Sequence, residues 1–197
     1  MATDYGTLRA NLHCFYDFAG KVVLYVGAGG KQLLDPSIKT RKLVAIDQDA
    51  LALQELKAHV EAEGVSGVEL LASRFENITV CGDVVYFEFC LHEMADPERA
   101  LHRARTLAPD TVVFDHLPDS EWVLHAAEED QVRRSAAAME RFGVRCRQPF
   151  SIDQRFRDHA ELLAKVGVQG ETAVERAQRF VGRTDIVIPM RYELALL

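Results

Sequence analysis

The chain has 197 residues, 48% apolar and 27% charged, the proportions of one soluble globular domain with a substantial core. Its net charge of −7 argues against a nucleic-acid partner, because phosphate binding needs a basic surface. No apolar run reaches membrane-span length, and the N-terminus lacks a basic stretch followed by a hydrophobic one, so a cytoplasmic protein without a membrane partner is expected.

Leu8, Leu12, Phe15 and Phe18 recur at helical intervals and predict a helix over 5–18. Val22-Val23-Leu24-Tyr25-Val26 is apolar throughout and largely β-branched, the pattern of a short strand buried on both faces. Gly27-Ala28-Gly29-Gly30 stops that run, and a short helical pattern begins near Gln32-Leu33-Leu34. Strand, glycine turn and helix together bring bare backbone N–H groups up to a ligand. Glycine suits the turn because a Cβ would hold the ligand away and because the backbone can require positive φ. The next apolar run, Leu43-Val44-Ala45-Ile46, ends in Asp47, where a carboxylate can accept both hydroxyl protons of a ribose.

A phosphate-cradling P-loop needs glycine at the place of Tyr25, and the dinucleotide fingerprint G-x-G-x-x-G fails at Gln32. What remains is G-x-G followed by an acid at the end of the next strand. In this the sequence resembles the class I S-adenosylmethionine-dependent methyltransferases, and the spacing of its later segments looks most like their UbiE-type, or type 11, group. The resemblance covers residues 20–120 well and the last third in outline.

Asp49 is a good N-cap for a helix carrying Leu53, Leu56 and Val60 on one face and ended by Gly64. The third strand is Val68-Glu69-Leu70-Leu71-Ala72, and the fourth runs from Asp83 through Glu88. Phe89-Cys90-Leu91-His92-Glu93-Met94-Ala95-Asp96-Pro97 is similar to the family's apolar run, leucine, histidine and aspartate-proline. Asp96 then caps a helix with Pro97 at its first position and Leu101, Ala104 and Leu107 facing inward. A fifth strand, Thr111-Val112-Val113-Phe114-Asp115, finishes at His116.

From Ser120 to about Met139 the pattern predicts one long helix, with Glu128-Glu129-Asp130 as a solvated acidic patch and His125 and Glu129 as a surface pair. A sixth strand is expected over 144–152 and two helices over 153–183, the second opened by a Thr172-x-x-Glu175 capping box. Residues 185–197 alternate as a last strand, with a bulge or unpaired position expected at Pro189. The fold class is therefore α/β: a doubly wound, Rossmann-like, seven-stranded sheet, mostly parallel, with one antiparallel strand near the C-terminus. One domain over 1–197 is expected, with a leading helix (1–19) over the site and a helical insertion (153–183) before the last strand.

Ligands on such sheets bind beyond the carboxyl ends of the strands. The resemblance implies S-adenosylmethionine as cofactor, held by Tyr25, Gly27, Ala28, Gly29, Asp47, Gln48, Ser73, Arg74 and Phe75. Ser73 stands where the family commonly has an acid, and Tyr25 where it has the acid serving the methionine end. A phenol offers no counter-charge to an ammonium, so Glu88 at the end of the neighbouring strand is expected to supply it. The family's leading helix lies across the site, so Tyr5 and Tyr16 either line a substrate pocket or only pack this helix onto the body. Methyl transfer needs a base when the acceptor is an alcohol, phenol or protonated amine, and His92 and His116 are the candidates, ahead of Glu93.

Neither histidines nor carboxylates show a metal-ligand spacing, and Cys14, Cys81, Cys90 and Cys146 form no C-x-x-C pair, so no metal is expected. The function implied is methyl transfer to an oxygen or nitrogen of a small molecule. The alternatives are a nicotinamide-dependent oxidoreductase and a non-catalytic partner protein with the same fold.

Overall fold

The structure is a computed structural model that describes residues 4–30, 33–34 and 38–197. Among these residues, strands β1 (Val22–Val26), β2 (Lys42–Asp47), β3 (Val68–Ala72), β4 (Val84–Glu88), β5 (Asp110–His116), β6 (Cys146–Asp158) and β7 (Thr184–Leu196) form one seven-stranded sheet. Its order is β3-β2-β1-β4-β5-β7-β6. The first five strands pair in parallel, and β7 runs antiparallel between β5 and β6.

Alternation along the strands divides the interior into two layers. Val23, Tyr25, Leu43, Ala45, Val84 and Tyr86 face one side. There they meet Leu8 and Leu12 of α1 (Tyr5–Phe15), Leu53 and Leu56 of α2 (Ala50–Ala62), and Leu162 and Val166 of α6 (His159–Val166). Leu24, Val26, Val44, Ile46, Val85 and Phe87 face the other side. Leu101 and Ala104 of α3 (Pro97–Leu107) cover them with Ala138 and Met139 of α5 (Glu129–Phe142). Strands buried on both faces explain the unbroken apolar runs.

The expected caps are present. Asp49 Oδ1 accepts from the Leu51 amide at 2.8 Å to start α2, and Asp96 Oδ1 accepts from the Arg99 amide at 2.9 Å to start α3. Each contributes about 1 kcal/mol to holding the helix start at the sheet's carboxyl edge.

Several expectations are corrected. The helix foreseen from Ser120 is two helices, α4 (Glu121–Ala126) and α5, separated where Ala127 enters the left-handed region at φ 60°. That turn aims Glu128 inward, so the acidic patch is not a uniform solvated face. His125 is buried against Phe180 and lies 3.6 Å from Glu121, while Glu129 pairs with Arg176 at 2.8 Å. β6 continues to Asp158, so the helices α6 and α7 (Glu171–Ala177) cap the tip of a long hairpin with β7. Pro189 stays in register opposite Asp153; the pairing skips Asp185 instead, at φ 52°. Gly170 begins α7 with no side-chain cap, which leaves Thr172 inside the helix. Ala28–Gly30 form a single 3₁₀ turn, and the helical pattern expected from Gln32 falls partly outside the described residues.

Candidate functional site

Two turns shape the carboxyl rim of the sheet. Gly27 has φ 72°, and a Cβ there would lie 2.6 Å from Cys90 Cβ and Sγ and 2.9 Å from the Glu88 carbonyl oxygen. Neighbouring protein thus requires that glycine, whereas a Cβ on Gly29 meets nothing within 4 Å. Directly after β4, Phe89 takes φ 45°, with its amide donating to the Phe114 carbonyl at 2.7 Å. A left-handed phenylalanine costs about 1–2 kcal/mol. It swings Cys90, Leu91 and His92 back across the strand ends, where Cys90 Sγ donates to the Val26 carbonyl at 3.3 Å.

A small pocket of about 130 Å³ opens beside the Gly27 turn, lined by Asp47, Gln48, Ser73, Arg74 and Phe75. Asp47 is half-buried at the tip of β2, its Oδ1 accepting from the Asp49 amide at 2.9 Å. Phe75 is both wall and core, meeting Phe87 edge to face with ring centroids 5.1 Å apart. Ala28 turns its side chain into the core, which leaves only its backbone for a ligand.

A second cavity, about 720 Å³, lies along the same rim. Tyr5, Leu8 and Arg9 of α1 line it, as do Gly29, Glu88, His92, His116, Trp122, Glu128, Lys165 and Gln169. Glu93 lines both spaces, so the small pocket and the large chamber adjoin there. Tyr16, one of the two candidates for the substrate pocket, is elsewhere: its phenol donates to Asp110 Oδ2 at 2.6 Å, at the opposite end of β5. Tyr25 is fully buried and does not line the chamber; its phenol donates to Glu88 Oε2 at 2.5 Å, and the Tyr86 phenol reaches the same oxygen at 3.2 Å.

Behind the chamber wall, Asp115 organises both histidines. Its Oδ1 stands 2.5 Å from His92 Nδ1 and accepts from the His116 amide at 2.9 Å, while its Oδ2 accepts from the His92 amide at 3.0 Å. A carboxylate only accepts, so His92 Nδ1 carries the proton and Nε2 points on toward Glu128 Oε2, 3.8 Å away. Burial pushes His92 down, but the Asp115 and Glu128 carboxylates override it and hold the imidazole up at about 9. Burial drives His116 the other way, down to about 3 despite Asp115. Burial lifts Glu128 to about 7 against the pull of His92.

No protein-family model and no curated relative matches the chain. Among solved structures, a presumed methyltransferase from Bacillus halodurans aligns over 97% of this chain and 98% of its own, with a TM-score of 0.70 and 16% identity. The YcgJ protein of Bacillus subtilis aligns over 98% and 95%, with a TM-score of 0.67 and 13% identity. An S-adenosylmethionine-dependent methyltransferase from Aquifex aeolicus aligns over 98% and 89%, with a TM-score of 0.59 and 18% identity. The chain has the class I methyltransferase fold.

Within the methyltransferase fold, the rim expected from sequence comes together at one place: Gly27, Asp47, Gln48, Ser73, Arg74 and Phe75 around the small pocket, Gly29, Glu88, His92 and His116 around the chamber. Sequence reading missed Glu128, Trp122, Gln154 and Lys165 as chamber residues. Glu128 is reached only because the chain breaks at Ala127, and no periodicity marks that break. Asp115 was recognisable as a strand-end acid, and its hold on His92 follows from the Phe89 turn.

Proposed function

We propose that this protein is an S-adenosylmethionine-dependent methyltransferase acting on a small-molecule acceptor. The observation that carries the reading is the pair of adjoining spaces. A small pocket with a strand-end carboxylate adjoins, at Glu93, a larger chamber along the same rim. On this reading Asp47 receives the ribose hydroxyls, with Gln48, Ser73, Arg74 and Phe75 around the nucleoside. Backbone at 27–29 passes beneath the cofactor. Glu88 receives the methionine ammonium, and Tyr25 holds Glu88 in place rather than touching the ligand.

The acceptor then occupies the chamber under α1 and the α6–α7 insertion, where His92, His116 and Glu128 are the groups that can activate it. A chamber of about 720 Å³ suits a small molecule rather than a polymer groove. The sulfonium is already activated, so in-line placement and exclusion of water supply much of the acceleration. Fold alone does not decide function, so the reading is supported by which residues line the two spaces. A pyrophosphate-bearing dinucleotide is disfavoured because the loop lacks the third fingerprint glycine.

Calorimetric titration tests the proposal. S-adenosylhomocysteine is expected to bind at one equivalent and NADH to give no heat. The reverse pattern would replace the methyltransferase reading with the oxidoreductase one, and no binding of either would favour a non-catalytic partner role.

A further inference from the structure

We infer that His92, His116 and Glu128 form a divalent-metal site in the wall of the acceptor chamber, a His₂Glu set for zinc or a similar first-row ion. One donor atom of each residue lies within 4.8 Å of the other two. They come from three places in the fold: the turn after β4, the end of β5 and the residue capping α5. This dispersal is why no ligand spacing is visible in the sequence. Donors on a tetrahedral ion at 2.0–2.2 Å stand about 3.3–3.6 Å apart, so closure needs about an ångström of side-chain movement.

Two independent features support an ion there. Asp115 fixes the His92 tautomer through Nδ1 and sends Nε2 toward Glu128, the outer-shell arrangement found behind most metal-bound imidazoles. His116 is 7% exposed, yet its Nδ1 makes no hydrogen bond among the described residues. Buried imidazole nitrogens ordinarily have a partner, and an ion or its bound water would supply one. Glu88, Glu93 and Glu128 line the chamber against Arg9 and Lys165, with Asp115 behind the wall, and an ion bound here takes the place of the His92 Nε2 proton.

Three protein donors leave a fourth position open. Resting on the proposed function, that position takes the hydroxyl or thiol of the acceptor. Coordination lowers its pKa and the proton passes to solvent. The resulting anion forms a bond to the sulfonium methyl carbon as the S–CH₃ bond breaks. That bond's electron pair stays on sulfur as the neutral thioether of S-adenosylhomocysteine.

The test uses the full chain, stripped with chelator and dialysed, then titrated with zinc by calorimetry and with cobalt(II) by absorption. One equivalent is expected, with visible cobalt bands and no thiolate-to-cobalt band, which separates this site from the four cysteines. His92→Ala and Glu128→Gln should each abolish it, while Asp115→Asn should weaken it roughly 10- to 100-fold. A cooperative thermal transition in the same variants checks that they are folded, and His116→Gln replaces either one that is not. A metal-silent parent, or a site that survives in these variants, overturns the inference. Cofactor binding without metal binding leaves the proposed function standing, and metal binding without cofactor binding removes the function but not the site.

Discussion

At the scale of single residues, the most informative contact is the 2.5 Å hydrogen bond from the Tyr25 phenol to Glu88. β1 carries a phenol at Tyr25 and β4 ends in a carboxylate at Glu88, with two phenols steering the same carboxylate oxygen. If Glu88 receives the methionine ammonium, Glu88→Gln should weaken S-adenosylmethionine and S-adenosylhomocysteine alike, by roughly tenfold or more for a lost charge-assisted bond. It should leave 5′-methylthioadenosine, which lacks the amino-acid end, nearly unchanged. Tyr25→Phe should act in the same direction but more weakly, since it releases the carboxylate without removing it. Calorimetry with the three ligands decides, and equal loss for all of them would count against the assignment. Asp47→Ala makes the complementary case: all three ligands carry the ribose, so all three should lose roughly tenfold or more.

At the scale of elements, the α6–α7 insertion has two roles that the sequence did not separate. Leu162, Val166, Ala173, Ala177 and Phe180 enter the same buried layer as β1 and β4, while Lys165 and Gln169 look into the chamber. The segment therefore builds core as well as wall. Leu162→Ala should lower stability by about 2–5 kcal/mol, read as a shift of the denaturant midpoint. Gln169→Ala should leave that midpoint within about 0.5 kcal/mol and change KM for the acceptor once it is known. A neutral Leu162→Ala would mean that the insertion merely rests on the sheet.

The whole molecule shows which signals a linear sequence carries. The sheet was legible because its parallel strands are buried on both faces and read as apolar runs, and because Asp49, Asp96 and Pro97 mark helix starts with local chemistry. The small rim pocket was legible because its residues sit at strand ends, which the topology places side by side. The His92, His116 and Glu128 cluster was not, because it depends on two left-handed residues, Phe89 and Ala127, that no propensity announces. Two-sided burial also ties the site to global stability. Asp47, Glu88 and His116 end β2, β4 and β5, so a ligand bound across them binds only when those strands are paired. Cofactor should then stabilise the whole fold by mass action, by about 2.7 kcal/mol at a concentration of 100 Kd. For a domain of this size each kcal/mol is worth about 2–4 °C, which gives a rise in Tm of about 5–11 °C. A thermal scan with S-adenosylhomocysteine should show that rise and a scan with NADH should show none. In Asp47→Ala the rise should shrink at the same ligand concentration, because the occupied fraction falls with affinity. A rise that Asp47→Ala leaves intact would place the ligand somewhere other than this rim.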